Sequence, residues 1–243
     1  MTLREAGCRT EALISAYPRG ESYTVFKLGG GLAFRTRVVT SSRVVVVHGK
    51  RRVTGVEIED TRTGSRRTIE CDTLVFTGDW IPDNELLRMR GIELDPAAGR
   101  APVTDQTMRT SVDNIFSVGN VNHPVETADV VALEGRYAAD RLLAHLTGAR
   151  TGGEELPVRA EAPIRWITPQ RYALGGPAPA RRRLVAWVDE LRASPVVVAR
   201  QGGRRIARRR LPWPAAPGRA FRIPSSMLEA VCPGAGEIVF SLE

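Results

Sequence analysis

The chain has 243 residues, 42% of them hydrophobic, and a formal net charge of +8. That length suits one large domain or two smaller ones, and the apolar content excludes global disorder. No apolar run approaches the ~20 residues needed to cross a bilayer, and the start MTLREAGCRTEALIS lacks the layout of a signal peptide. A cytoplasmic protein without a membrane partner is expected.

Cys8, Cys71 and Cys232 lie far apart, with no CxxC pair and no histidine at ligand spacing. A disulfide framework, a metal site and a redox dithiol are therefore not expected. The charge is unevenly placed. Residues 1–150 carry 20 Lys+Arg against 19 Asp+Glu, which leaves 15 against 8, or +7, for residues 151–243. Nearly all of the excess is arginine. A basic tail of this kind suits a nucleic-acid surface, but the arginine bias of a GC-rich genome explains it equally well, and nucleic acid is the weaker candidate partner.

In chain order, residues 2–6 read as a helix ended by Gly7, followed by a short strand in TEALISAY (10–17). ESYTVFKL (21–28) reads as a helix closed by Gly29-Gly30-Gly31. From Phe34 to Thr77 the pattern is β: RVVVVHG, VTGVEIED and SRRTIEC are rich in β-branched residues and separated by turns at Gly49-Lys50-Arg51 and Thr63-Gly64. An antiparallel meander is expected. DTLVFTG (72–78) is a continuous apolar run, as in a buried parallel strand. PDNELLRMRG gives a short helix with Asp83 or Asn84 as N-cap and Gly91 as its end. A strand over Ile115–Val118 leads into Gly119-Asn120, and a helix follows over 127–147, with Val130, Val131, Leu133, Ala138, Leu142 and Leu146 near one face. After a linker at 151–157, RRLVAWV, PVVVAR, RRIARRRL and EIVFSL suggest a small β-rich domain.

The stretch TSVDNIFSVGNVNHPVETADVVALEGRYAAD (110–140) carries the chemistry. Gly119 has no Cβ, so a ligand could approach the backbone closely. The helix beginning near Thr127 would aim its free amides and positive dipole end into the same space, which suits flavin or pyrophosphate oxygens. Asn120 can donate and accept toward a hydroxyl chain. An ordinary strand, turn and helix explains the same residues without a ligand. His123 is the one histidine placed for proton transfer, although a lone loop histidine is more often structural; His48 and His145 are expected at the surface.

MRTSVDNIFSVGNV with ETADVVALEGRYAAD resembles the second FAD-binding signature of the pyridine nucleotide-disulfide oxidoreductase superfamily, and CDTLVFTGDWIPDNELL is similar to its Thr-Gly-x-x-Pro-Asn segment. The order and separation of the two match the superfamily, over roughly residues 1–150. The nearer likeness is to the branch without a redox disulfide, which includes the FAD subunits of opine and amino-acid dehydrogenases. The resemblance implies an α/β, partial two-dinucleotide-binding fold with an antiparallel meander, plus the small β-rich C-terminal domain. It implies three parts: residues 1–78 of an NAD(P)-binding domain, residues 79–150 of an FAD-binding domain, and the basic tail 151–243.

Carried over by position, Gly119, Asn120 and Val121 would meet the ribityl and pyrophosphate region of FAD, with Asn120 where the family usually has Asp. Thr127 and Ala128 would offer backbone amides to the flavin pyrimidine edge. Thr77, Gly78 and Pro82 would shape the passage between the dinucleotide domains. Tyr17, Pro18 and Arg19 stand where members touch an adenosine ribose. The implied function is FAD-dependent oxidoreduction by hydride transfer, with NAD(P) as candidate second cofactor, a small-molecule substrate, and other subunits of a heteromeric dehydrogenase as candidate partners. No catalytic residue is assigned. A full member has two Gly-rich phosphate loops opening helices, and this sequence has neither. The chain is therefore expected to be an N-terminally truncated member, weak in FAD binding, inactive alone and prone to self-association.

Overall fold

The computed structural model describes residues 2–18, 36–77, 81–149 and 152–243. The expected helix over 21–28, the Gly29–Gly31 run, Arg19, Gly78, Asp79 and Trp80 lie outside the described residues. The chain divides into two compact units, Met1–Gly78 and Asp79–Glu243.

In the first unit, helix α1 (Thr2–Glu5) is followed by Gly7 at φ 78°, in the left-handed region. Strands β1 (Ala12–Ile14) and β2 (Arg37–Val39) pair in parallel. The meander forms as expected from β3 (Ser42–His48), β4 (Gly55–Asp60) and β5 (Arg66–Glu70), in the order β3-β4-β5, antiparallel throughout. Strand β4 alternates by the two-residue period of a sheet. Val56 and Ile58 are buried with Val39, while Glu57 and Glu59 point outward to ion pairs with Arg43 and Arg66. The β4–β5 turn is closed by the Asp60 carboxylate, which accepts from the amides of Arg62 and Thr63 at 2.8 and 3.1 Å.

Two expected strands do not form. Residues 72–77 carry no strand, and Val75 and Phe76 are 60% and 75% exposed. A strand buried on both faces needs a neighbour to receive its amides, and among the described residues none pairs with this run. Residues 115–118 make one isolated bridge, Arg109 to Phe116, and Ser117 N–H donates to Met108 O at 3.0 Å. This is a folded-back loop, not a ladder.

The second unit opens with helix α2 (Glu85–Arg88), whose N-cap residue Asn84 turns its amide to Arg100 O at 2.6 Å and leaves the helix end alone. Short strands β6 (Leu94–Asp95) and β7 (Ala101–Pro102) flank a 3-10 turn at Pro96–Ala98. Helix α3 (Ala128–Leu146) agrees with the sequence, but its buried line is Val130, Glu134 and Ala138 at four-residue spacing; Leu142 and Leu146, expected on that line, are 41% and 72% exposed. The remaining chain gives β8 (Glu155–Ala160), β9 (Ile164–Thr168), β10 (Arg171–Ala173), β11 (Arg183–Val188), β12 (Val196–Gln201), β13 (Arg204–Arg210), β14 (Phe221–Pro224) and β15 (Ile238–Leu242). The linker expected over 151–157 is shorter, because β8 already begins at Glu155.

These strands build a five-stranded sheet, β10-β8-β15-β12-β13, and a three-stranded sheet, β14-β11-β9. All neighbours are antiparallel except β15 and β8. Both sheets pool their inward side chains, among them Val158, Leu184, Val197, Phe221, Ile223 and Phe240, in one core. The three-stranded sheet is apolar on its other face too. There Trp166, Val185 and Trp187 pack with Ala98, Ala101 and Val125, so the 98–126 segment is laid over the sheet.

Hydrogen bonds hold that segment to the edge of β10. The Gln106 side chain, fully buried, donates to Ala173 O at 2.7 Å and accepts from Ala173 N–H at 2.9 Å. Thr104 O accepts from the amides of Gln170 and Arg171. Replacing Gln106 by Met keeps the volume and orphans both Ala173 groups, so urea denaturation is expected to show a loss of about 2–4 kcal/mol.

Tyr137 of α3 lies against the same segment, its hydroxyl 2.9 Å from Gln106 O and 2.7 Å from Ala178 O. Burial is the main cause that pushes its phenol from the ordinary value of 10.0 up to about 12. The neutral form is favoured in the folded state, so the contribution is whole below pH ~10 and is lost as pH rises toward 12. Alkaline unfolding should show this slope, and Tyr137→Phe should flatten it.

Candidate functional site

The candidate site is the loop between the folded-back 115–118 segment and α3. Residues Gly119–Val121 make one 3-10 turn, with Gly119 buried and at φ 77°. A Cβ at Gly119 would stand 2.7 Å from Val131 Cγ1 of α3. Glycine is thus required by the close approach of the helix as well as by the backbone angle.

Asn120 uses both ends of its amide inside the loop. Its Nδ2 donates to Glu126 O and its Oδ1 accepts from Glu126 N–H, each at 3.0 Å. This closes the six-residue excursion from Asn120 to Glu126 just before the helix. The Glu126 carboxylate turns inward, 1% exposed, and receives Nε and Nη2 of Arg222 at 2.9 and 2.5 Å. Asn122 donates to Ser117 O.

His123, read from sequence as a lone loop histidine, is buried with Glu134 of α3, Nε2 to Oε2 3.0 Å. No local pattern announced this pair. The two lie eleven residues apart, and only the four-residue spacing of Val130, Glu134 and Ala138 puts Glu134 on the inward line. A small cavity of about 30 Å³ adjoins them, lined also by Asp105, Gln106, Asn122 and Arg183. His145 sits instead at the far end of α3, 2.8 Å from Asn114 Oδ1.

Over this buried floor lies an exposed arc made by Asn120, Thr127, Ala128 and Asp129. Thr127 occupies the N-cap position in extended backbone, and its hydroxyl makes no cap bond to the helix. It donates to the Asp129 carboxylate, which also accepts from the amides of Asp129 and Val130; these bonds hold Asp129 below the usual carboxylate range. The amides of Thr127 and Ala128 therefore start the helix without an intrahelical acceptor.

The structure brings Gly119, Asn120, Val121, Thr127 and Ala128 together on one loop. Thr77 is exposed in the first unit, and Gly78 lies outside the described residues. Pro82 is buried against Gly99 in the second unit. Among the described residues no cluster of His, Cys, Asp or Glu could hold a metal ion. No helix among them is long and apolar enough to cross a membrane.

The loop fits a flavin in part. The exposed start of α3 offers amides that suit an electron-rich ring edge, whereas the space beside Gly119 is taken by Val131. The Asn120 side chain, by contrast, is already engaged with Glu126, so its contribution to such a ligand is to shape the turn.

Residues 34–137 match the family described as "Pyridine nucleotide-disulphide oxidoreductase". A thioredoxin reductase of Streptomyces clavuligerus is 30% identical over 121 residues, which is 48% of this chain and 37% of that protein. A ferredoxin–NADP reductase of Frankia alni is 33% identical over 89 residues, covering 37% of this chain and 27% of that protein. The mitochondrial dihydrolipoyl dehydrogenase of Caenorhabditis elegans is 32% identical over 87 residues, 33% and 17% of the two chains. The chain thus spans well under half the length of the curated relatives it matches. In fold it is similar to the thioredoxin reductase of T. acidophilum, with a TM-score of 0.51 and 24% identity over 58% of this chain and 46% of that one. Members of this superfamily bind FAD and use NAD(P). Over residues 34–137 the chain thus matches the pyridine nucleotide-disulphide oxidoreductase family, and its fold is similar to that of thioredoxin reductase.

Proposed function

We propose that the chain is part of an FAD-dependent, NAD(P)H-linked oxidoreductase acting on a small-molecule substrate. When bound, FAD supplies the two-electron hydride carrier, and the protein supplies binding, orientation and electrostatics. The observation that carries the reading is the exposed arc of Asn120, Thr127 and Ala128 set on a buried, hydrogen-bonded floor within the family match. In this reading the Gly119–Val121 turn sets the loop against α3, and the Thr127 and Ala128 amides hold the ring edge where negative charge collects.

The sequence contains no GxGxxG pattern, so in this reading the arc contacts only one end of the dinucleotide. Weak binding and no turnover follow for the 243 residues alone, with a further subunit or segment completing the site. The narrower likeness to opine and amino-acid dehydrogenase subunits stays part of this proposal, supported by the absence of any CxxC pair. The alternative of a nucleic-acid-binding module gains no support at its aromatics. Trp187 is 5% exposed, and Trp213 is covered by the Arg183 guanidinium at 5.2 Å, so neither is free to stack on a base.

Titration of the chain with FAD, followed by flavin fluorescence, is expected to give saturable binding with a Kd on the order of 10⁻⁴ M. Absence of saturable binding up to millimolar FAD would overturn the reading. Gly119→Ala should abolish that binding and cost about 1–3 kcal/mol of stability, since it adds both a clash and a strained φ. Gly119→Ala with Val131→Ala should recover the part due to the clash, as read by denaturant midpoints.

A further inference from the structure

The tail meets the candidate flavin loop at a buried ion pair beside the packing of Val125, and the geometry of that pair has a specific effect. Arg222 lies in β14 between Phe221 and Ile223, which are 1% and 0% exposed in the core of the two sheets. Strand alternation sends Arg222 to the opposite face, where the 98–126 segment is laid. Its fork meets both oxygens of Glu126, 96 residues earlier, at 2.9 and 2.5 Å. Trp213 Nε1 donates to Arg222 O at 3.0 Å and braces the strand behind it.

Glu126 is thereby held at three points. Asn120 holds its N–H and its C=O, and Arg222 holds its carboxylate. The next two residues are Thr127 and Ala128, whose amides face the candidate ligand. A planar two-bond fork fixes direction as well as distance, so the orientation of those amides against the Gly119–Val121 turn is set from β14. The carboxylate is 1% exposed, which leaves salt little access to weaken the contact.

We propose that Arg222 is a positioning residue for the flavin: through Glu126 it aligns the Thr127 and Ala128 amides, making the β-rich tail a working part of the cofactor site. This rests on the flavin reading of the loop given above. The tail then contributes to affinity for FAD without touching it.

The test compares Arg222→Met, Arg222→Lys and the double variant Glu126→Gln with Arg222→Met against the unaltered chain. Amide hydrogen exchange over peptides covering 117–131 reads the loop, FAD titration reads the ligand, and thermal melting reads the fold. Arg222→Met should speed exchange at 120–130 by about tenfold or more, leave β11 and β12 protected, and weaken FAD by about fivefold or more. Arg222→Lys, which keeps the charge and loses the fork, should fall between. The double variant removes the orphaned charge, so it should regain the melting temperature while its loop exchange stays fast and its FAD affinity low.

Loop exchange and FAD affinity within about twofold of the unaltered chain in Arg222→Met would overturn the proposal, as would full restoration of both in the double variant. If the unaltered chain takes up no FAD, the flavin reading fails by itself, and the exchange arm still decides whether β14 orients the loop.

Discussion

A sheet of three strands that is apolar on both faces cannot be left half covered. Strands β9, β11 and β14 send Ile164, Leu184 and Phe221 into the core shared with the five-stranded sheet, and Trp166, Val185 and Trp187 the other way. The two tryptophans alone carry a large apolar area whose exposure would cost several kcal/mol. The chain covers them with its own 98–126 segment, and this requirement organises most of the second unit. It explains why a segment poor in regular structure is nevertheless buried over Val103–Met108, and why the Gln170 side chain meets the Thr104 amide while the Gln106 side chain meets the backbone of Ala173 in β10.

The candidate site inherits its rigidity from that cover. Loops that bind ligands usually need a scaffold to limit their freedom. Here the turn at Gly119 is fixed by Val131, the loop mouth by Asn120, and the last loop residue by β14. His123 and Glu134 add a buried polar contact between the loop and the helix it feeds. The site thus joins the neighbouring stretches 119–126 and 128–138 to Arg222, which lies 96 residues beyond Glu126.

What could be read from the sequence follows the range of the interactions involved. The β3-β4-β5 meander declares itself because alternation in GVEIED and turns at Gly49 and Gly64 act within a few residues. Helix α3 and the four strands rich in valine, isoleucine and arginine are local in the same sense. The strands at 155–160, 164–168, 171–173 and 221–224 were hidden because Pro157, Pro163, Pro169 and Pro224 interrupt or border them, and their partners lie far along the chain. DTLVFTG failed in the opposite direction. Its apolar run satisfies the pattern of a buried strand, but a strand also needs neighbours, and pattern carries no information about them. At the site, the position of the loop was legible from Gly119 and the helix start at Thr127, whereas the clamps on it were not. Asn120 to Glu126 spans six residues of irregular backbone, and Glu126 to Arg222 spans 96.

The two outer strands of the five-stranded sheet bear on how the molecule meets copies of itself. An open strand edge is a template for another chain. On one side, β10 has already spent its outward amides and carbonyl on Thr104 and Gln106. On the other, β13 presents Arg204, Arg205, Arg208, Arg209 and Arg210, all exposed. A second β13 pairing along this edge would crowd ten guanidinium groups onto the two faces of the seam with little to neutralise them, since Glu243 and Ser226 engage only Arg208 and Arg209. The concentration of arginine that tempts a nucleic-acid reading also acts as a fence: it lets the sheet remain five strands wide, and it turns any stickiness of the chain away from fibre-like growth toward the uncovered leucines of α3.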